Sequence, residues 1–175
     1  MTKLLIGNAL SLLGSILMVS IGLIKDKKRI LLMQCVQFFL LAMGNLVLGA
    51  YTGTISGVSS LLRNLVCFFF PYTLPIKIGF LALQIIPAIF ANQVGWIGWL
   101  PIASTCLFTW FLGLKDERHF KLLLLVTQLF WCVYDLWFLN YASFVFDILT
   151  VMTCTLSLLR MGKNRKQMPL HTEEK

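Results

Sequence analysis

Residues 25–48 read KDKKRILLMQCVQFFLLAMGNLVL, in which four cations stand directly before an apolar run long enough to cross a bilayer. Residues 115–138, KDERHFKLLLLVTQLFWCVYDLWF, repeat the same order of charged loop and apolar segment. A polar residue lies near the end of each run, Asn45 in the first and Asp135 in the second. Clustered Lys and Arg beside an apolar segment are typical of the cytoplasmic end of a transmembrane helix. The two stretches therefore predict an all-α membrane protein.

The composition favours the same fold class. Of the 175 residues, 58% are hydrophobic and 13% are charged, whereas about a quarter of the residues in a soluble domain are charged. Seven apolar segments of transmembrane or nearly transmembrane length account for most of the chain, and the short connections leave no room for a soluble domain. The predicted segments are Leu4–Ile24, Ile30–Leu48, Ile55–Phe70, Ile76–Ala91, Trp96–Leu114, Leu122–Leu139 and Phe144–Leu159.

The distribution of Lys and Arg predicts the orientation, because cations near a membrane are retained on its cytoplasmic side. Thirteen of the fifteen cations lie in the connections after segments one, three and five or follow segment seven, and the alternate connections contain none. The N-terminus is therefore predicted outside and the C-terminus inside, in a cell inner membrane crossed several times. The net charge of +8 is expected to attract anionic inner-leaflet lipids, and no nucleic acid is expected as a partner.

An internal repeat becomes visible when the sequence is displaced by 90 positions. Lys25-Asp26 then falls on Lys115-Asp116, Asn45 on Asp135 and Tyr51 on Tyr141, and a displacement of 91 pairs Gln37 with Gln128. Both triplets of segments start outside and end inside, so one additional helix must cross the membrane between them. The prediction is therefore a 3+1+3 parallel-repeat bundle of the SWEET kind. The predicted units are 1–72 for the first triplet, 73–95 for the linker helix, 96–160 for the second triplet and 161–175 for a cytoplasmic tail.

Several short motifs occur together and in a characteristic order. They are Lys115-Asp-Glu-Arg-His-Phe-Lys121 with its counterpart from Lys25, Phe38-Phe-Leu-Leu41, the run from Ser56 to Asn64, Trp99-Leu-Pro101 with Trp110, and Leu158-Leu-Arg160. In these motifs residues 4–161 resemble the YgjV-like bacterial inner membrane proteins of the wider SWEET and PQ-loop superfamily. The resemblance implies a multi-pass inner membrane protein, and the superfamily implies passage of small solutes such as sugars, amino acids or vitamins between two helical bundles.

The chain also departs from that superfamily's pattern. SWEET-type repeats place prolines in the segments that bend during gating, whereas here Pro101 is the one such candidate, and its 90-offset partner is Ser11. The Pro-Gln dipeptide that names the PQ-loop proteins is absent from every segment. Pro101 is therefore the predicted hinge residue.

Polar side chains inside the segments are the candidate solute ligands, because a central charge costs about 2.5–3.5 kcal/mol on the insertion scale and is retained for a reason. Arg63 is expected near the midplane, and Asp135 and Asp147 share a depth under the outer mouth, where two close carboxyls would share a proton. The alternative is a buried ion pair between Arg63 and one Asp, with no solute involved. The predicted lining of a central cavity is Arg63, Asp135, Asp147, Asn45, Asn64, Gln37 and Gln128.

The remaining chemistry-bearing residues predict neither a cofactor nor a metal site. The five cysteines lie within the segments without paired spacing and are interpreted as small hydrophobic residues, and the two histidines lack partners at metal-ligand spacing. No nucleophile or metal stands beside an oriented base, so an enzyme is not expected.

Two functions remain from the sequence. The first is a SWEET-like carrier or facilitator for a small polar solute, held by Arg63 and the outer carboxyls, in which an anionic group would suit Arg63. The second is a non-transporting membrane receptor, scaffold or assembly factor whose polar core only fixes helix register. Gly7, Ser11 and Ser15 form a stripe for close helix packing, within the chain or in a homo-oligomer.

Overall fold

The computed structural model describes residues 1–21, 27–111 and 117–167, and this part of the chain forms seven α-helices. Lys25-Asp26, Lys115-Asp116 and the tail from residue 168, which entered the predictions above, lie outside the described residues. The helices are α1 (Thr2–Ile21), α2 (Lys27–Leu48), α3 (Tyr51–Phe69), α4 (Leu74–Ala91), α5 (Trp99–Phe111), α6 (Glu117–Trp137) and α7 (Tyr141–Gln167).

Each predicted segment corresponds to one of these helices, and the main difference lies at the cationic ends. Helix α6 begins at Glu117, before the apolar run starts, and α7 continues to Gln167, past the predicted start of the tail at residue 161. Long Lys and Arg side chains can reach the membrane interface from positions about one helix turn inside or beyond the apolar region. A charged residue therefore ends an apolar run in the sequence without ending the helix.

Five of the helices have the length and apolar composition needed to cross a bilayer, namely α1, α2, α4, α6 and α7. Helix α5 is a shorter apolar helix of 13 residues. Helix α3 is long enough at 19 residues, but its buried residues are all glycines or polar side chains, among them Ser56, Ser60 and Arg63. That polar face requires neighbouring helices to cover it, because lipid cannot satisfy its hydrogen-bonding groups.

The helices pack in a closed order that leaves α4 on the outside. Contacts join α1 to α2, α2 to α3, α3 to α5, α5 to α6, α6 to α7 and α7 back to α1. Helix α4 packs on both α3 and α5 through one narrow stripe, Phe80, Gln84 and Ala88. Six helices therefore form a ring, and α4 lies against the seam between α3 and α5.

The interior of this bundle is polar and its surface is apolar. Among the described residues, nineteen polar or charged side chains are buried, against nine apolar ones. Large apolar side chains cover the outside, for example Phe90 at 83% exposure and Phe69 at 70%. This is the reverse of a soluble protein and is the arrangement that a hydrocarbon solvent imposes.

The turns α2–α3 and α6–α7 have the same backbone geometry 90 positions apart. Gly49 and Leu139 both adopt positive φ, at 78° and 56°. Ala50 N–H donates to the Asn45 carbonyl and Asn140 N–H to the Asp135 carbonyl, each at 2.8 Å. These are the bonds of a Schellman motif, which ends a helix with one left-handed residue. Asn45 and Asp135 therefore occupy the same position in two matching helix ends.

The predicted stripe of small residues on α1 is used inside the chain. A Cβ on Gly7 would lie 2.6 Å from Leu48 Cγ, and a Cβ on Gly44 would lie 2.6 Å from Ser11 Oγ. Helices α1 and α2 therefore approach through small residues on both sides, as the packing interpretation expected. Homo-oligomerisation remains an untested prediction.

Tyr134 connects α6 to α3 across the ring of helices. It is fully buried on α6, and its hydroxyl accepts the Gly53 N–H at 2.8 Å and lies 3.0 Å from Thr52 Oγ1. Gly53 belongs to the first turn of α3, where backbone N–H groups have no partner within their own helix. A side chain from α6 therefore caps α3.

Gly53→Ala should destabilise the bundle, because the added Cβ would lie 2.7 Å from Tyr134 Cε1 and 3.0 Å from Asn45 Nδ2. Overpacking of this kind costs about 1–3 kcal/mol in the free energy of unfolding. Gly79→Ala on α4 is the matched control, since its Cβ would meet nothing within 4 Å. Reversible unfolding in mixed micelles measures both variants, and equal stabilities would contradict the close α3–α6 contact.

Candidate functional site: two polar clusters in the bundle

The first polar cluster, called the carboxyl cluster below, joins α6 to α7. The carboxyl groups of Asp135 and Asp147 lie close enough to interact, and Gln128 Nε2 donates to Asp147 Oδ1. Both carboxyls are nearly inaccessible, at 3% exposure for Asp135 and 7% for Asp147. The proximity expected from their common depth is thus present in the structure.

Asn140 extends the carboxyl cluster to α2. Its Nδ2 donates to Asp135 Oδ1 at 3.3 Å and to Asn45 Oδ1 at 3.4 Å, and the residue is 1% exposed. Asn140 follows the left-handed Leu139, so the Schellman turn places its amide against Asn45 and Asp135, which lie in the last turns of α2 and α6. The cluster therefore comprises Asn45, Gln128, Asp135, Asn140 and Asp147.

Two oxygens of this cluster lack a donor. Asp147 Oδ2 and Asn140 Oδ1 are buried and have no hydrogen-bond partner. Two carboxyls in contact cannot both ionise without strong repulsion, and a proton held between Asp135 and Asp147 would give Asp147 Oδ2 the partner it lacks. The arrangement thus offers buried oxygen acceptors to a proton or another small cation.

The second polar cluster, called the Arg63 cluster below, lies between α3, α4 and α5. Arg63 is 3% exposed, its Nη1 donates to Thr109 Oγ1 at 3.1 Å, and its Cζ lies 5.9 Å from the centre of the Phe108 ring. Its Nε is buried without a partner. Arg63 therefore brings a positive charge into the interior and satisfies only part of its hydrogen-bonding capacity there.

Two further residues complete the Arg63 cluster. Gln84 on α4 is fully buried, and its Nε2 also donates to Thr109 Oγ1, at 3.0 Å. Tyr72, in the connection between α3 and α4, donates its hydroxyl to the Thr109 carbonyl at 3.0 Å. Burial raises the pKa of the Tyr72 hydroxyl, and the nearby Arg63 cation opposes that rise. Tyr72 therefore remains a protonated donor at neutral pH.

No hydrogen bond among the described residues joins the two clusters. Gly53, which touches Tyr134 and Asn45, and Arg63 are ten residues apart on α3, a separation of about 15 Å at 1.5 Å per residue. The hydrogen bond of Arg63 goes to Thr109 and not to a carboxylate, so the alternative of an Arg63–Asp pair is not what the structure contains. Four of the predicted lining residues, Asn45, Gln128, Asp135 and Asp147, belong to one cluster and Arg63 to the other, and the shared cavity remains a prediction.

None of the described hydrogen bonds joins the other predicted residues to either cluster. Asn64 Nδ2 donates to Gln34 Oε1 at 3.0 Å, which joins α3 to α2. Gln37 is 4% exposed on α2, and its carbonyl faces Gly14 of α1. Pro101 is the third residue of α5, where the missing N–H removes no intrahelical hydrogen bond, so its position differs from that of a mid-helix hinge.

Sequence reasoning missed Asn140, Gln84, Thr109, Tyr72 and Tyr134. Asn140 was assigned to a connection, and Gln84 was overlooked because segment four was interpreted as a linker, although a glutamine inside an apolar segment is itself a signal. Thr109 and Tyr134 carry no such signal, since both residue types are common in membrane helices. In the described part of the chain, no group of three or more His, Cys, Asp or Glu side chains could hold a metal ion.

Asn140→Ala should lower the stability of the bundle by several kcal/mol, because it leaves Asp135 Oδ1 and Asn45 Oδ1 buried without that donor, at about 1–3 kcal/mol each. Gln93→Ala, which removes an exposed amide, is the control. Unfolding in mixed micelles gives the difference. A loss no greater than that of the control would mean that Asn140 does not organise the cluster.

Comparison with known proteins agrees with the membrane character of the fold. The sequence model of the YgjV family, described as bacterial inner membrane protein, matches residues 5–165. No curated protein and no solved structure gives a significant match. The match spans nearly the whole chain and includes both polar clusters. The chain therefore belongs to the YgjV family of bacterial inner membrane proteins.

Proposed function

We propose that the protein is a SWEET-like carrier or facilitator that moves a small polar solute through the centre of the bundle. The observation that carries the proposal is the polar interior, in which nineteen buried residues are polar and several of their atoms lack partners. Polar groups in a membrane interior are expensive and mark solute or ion pathways. A protein that only anchors itself in lipid has no need of them.

The proposed architecture is the 3+1+3 parallel repeat. Matching Schellman turns 90 positions apart support it, as do α3 and α7, which begin at Tyr51 and Tyr141 with the same displacement. The contacts between the triplets also correspond, because α1 meets α7 and α3 meets α5. Each of these contacts joins the first helix of one triplet to the third helix of the other, which is the relation expected of a twofold axis along the membrane normal.

The proposed pathway runs past the two polar clusters in succession. Asp135, Asp147 and Arg63 are all at most 7% exposed, so the structure is closed around them. A solute would reach each cluster only when the triplets move apart, which is the opening that a carrier requires. The carboxyl cluster would supply the coupling ion, as a proton or a small cation bound between Asp135 and Asp147.

The rival function is a non-transporting receptor, scaffold or assembly factor. The observation in its favour is that the hydrogen bonds of Tyr134 and Asn140 hold helix ends in place. These bonds fix the register of the helices, and no solute is needed for them. Under this interpretation the two clusters hold the bundle together, and no small molecule stabilises it.

Thermal stability of the purified protein against a panel of small metabolites separates the two functions. A ligand present at about 100 times its dissociation constant stabilises the folded state by about 2.7 kcal/mol. We expect at least one metabolite to raise the melting temperature of the wild type and not that of Asp147→Asn. The metabolite found is then loaded into liposomes for an uptake assay.

Thr153→Ala is the matched control on α7, because its hydroxyl bonds only to the Thr150 carbonyl of its own helix. The control should retain the metabolite response of the wild type. The carrier proposal fails if no metabolite shifts any of the three proteins while Asp147→Asn alone melts at a much lower temperature.

The proposed orientation is tested with two reporters fused in turn to the C-terminus. The cationic connections predict a cytoplasmic C-terminus and an external N-terminus. A C-terminal fluorescent protein should therefore fold and fluoresce in cells, and a C-terminal alkaline phosphatase should be inactive. Active phosphatase at the C-terminus would reverse the orientation.

A further inference from the structure

The geometry points to an oxyanion-binding site in the Arg63 cluster, formed by Arg63, Thr109 and Gln84 at the junction of α3, α4 and α5. Its ligand is a carboxylate or phosphate group, from a free solute or from a lipid headgroup. The inference goes beyond the proposed function, because such a site could hold a phosphate in a protein that transports nothing.

The first argument is the absence of any counter-charge on the helices that surround Arg63. Residues 27–115 contain no Asp or Glu. The segments packed around Arg63, which are α3, α4, α5 and the connection at residues 70–73, therefore cannot supply a carboxylate. Among the residues that the structure describes, the groups that face Arg63 are Thr109, Phe108, Tyr72 and Cys67. A hydroxyl, an aromatic ring, a phenol and a thiol do not neutralise the cation at neutral pH.

The second argument is the cost of this arrangement without an anion. An ionised group buried without a partner loses its hydration and regains it only through charge pairing or hydrogen bonds. A guanidinium has five N–H donors, the bond to Thr109 uses one, and Nε has no partner. Arg63 is 3% exposed, so water outside the bundle does not provide the missing acceptors.

The third argument is that further donors and charge converge on the same place. Thr109 Oγ1 accepts from both Arg63 and Gln84, which leaves its own hydroxyl hydrogen to donate. A second cation is close, since Lys77 Nζ lies 5.5 Å from the centre of the Tyr72 ring and donates to the Trp110 carbonyl. The site thus combines a planar fork of donors, a hydroxyl and a neighbouring ammonium, which is the chemistry that recognises carboxylate and phosphate.

The experiment measures binding of radiolabelled inorganic phosphate to the full-length protein in phosphatidylcholine nanodiscs, by equilibrium dialysis. Wild type should bind phosphate, and Arg63→Gln should not. Arg63→Lys keeps the charge but loses the fork, so it should bind about tenfold more weakly, which corresponds to one charge-assisted hydrogen bond. Lys121→Gln, which removes a cation near Ser157 between α6 and α7, is the control and should bind as the wild type does.

A second arm identifies the source of the oxyanion. Melting temperatures are compared in nanodiscs of phosphatidylcholine alone and of equal parts phosphatidylcholine and phosphatidylglycerol. The ligand is a lipid headgroup if two results are obtained together. Free phosphate does not bind, and phosphatidylglycerol raises the melting temperatures of the wild type and of Lys121→Gln but not that of Arg63→Gln. The inference is overturned if neither phosphate nor phosphatidylglycerol acts on the wild type, or if their effects survive in Arg63→Gln.

If Arg63→Gln fails to fold, the comparison of wild type with Arg63→Lys decides the question. Unchanged phosphate affinity in that variant would exclude a site built on the guanidinium fork. The outcome is also separate from that of the carrier proposal, because the metabolite panel depends on Asp147 and the phosphate experiment on Arg63. Phosphate binding without solute uptake would leave the site in place and remove the carrier.

Discussion

The structure depends on one constraint, which is that every polar group of the bundle must find its partner inside the protein because lipid offers none. The constraint explains why the buried side chains are mostly polar while residues such as Phe90 and Phe69 lie on the surface. It also explains the packing of α3, whose buried residues are glycines and polar side chains and which contacts α2, α4, α5 and, through Tyr134, α6. Cohesion therefore depends to a large extent on close approach at small residues and on hydrogen bonds across helices.

At two helix ends, a single side chain from another helix satisfies a backbone N–H group that has no partner within its own helix. The hydroxyl of Tyr134 satisfies the N–H of Gly53 in the first turn of α3, and Asn8 Oδ1 accepts the N–H of Ala142 at 3.0 Å in the first turn of α7. In each case a side chain from a helix distant in the sequence caps the first turn, α6 capping α3 and α1 capping α7. These caps help to fix how the helices pack, and any opening of the bundle has to break these contacts or move them as a unit.

The two polar clusters divide the charge of the bundle. Carboxyls lie on α6 and α7, and cations without carboxylate neighbours lie on α3 and α4. The carboxyl cluster leaves oxygens unsatisfied and the Arg63 cluster leaves a nitrogen unsatisfied, so the first suits a cation or a proton and the second an anion. No hydrogen bond among the described residues joins the two clusters, which are therefore described as two separate polar sites.

The sequence by itself determined the helical membrane fold, the approximate limits of the helices and the burial of Arg63, Asp135 and Asp147, because hydropathy and isolated charges act over one turn or one segment. It also predicted the contact of Asp135 with Asp147, since consecutive helices joined by a short turn are neighbours. Only the tertiary structure decided that Arg63 meets Thr109 and Gln84 in place of a carboxylate, and that Asn140 joins Asn45 to Asp135. Three of those four contacts link residues 25 to 95 positions apart, and their choice depends on helix rotation and neighbour order, which no local pattern encodes.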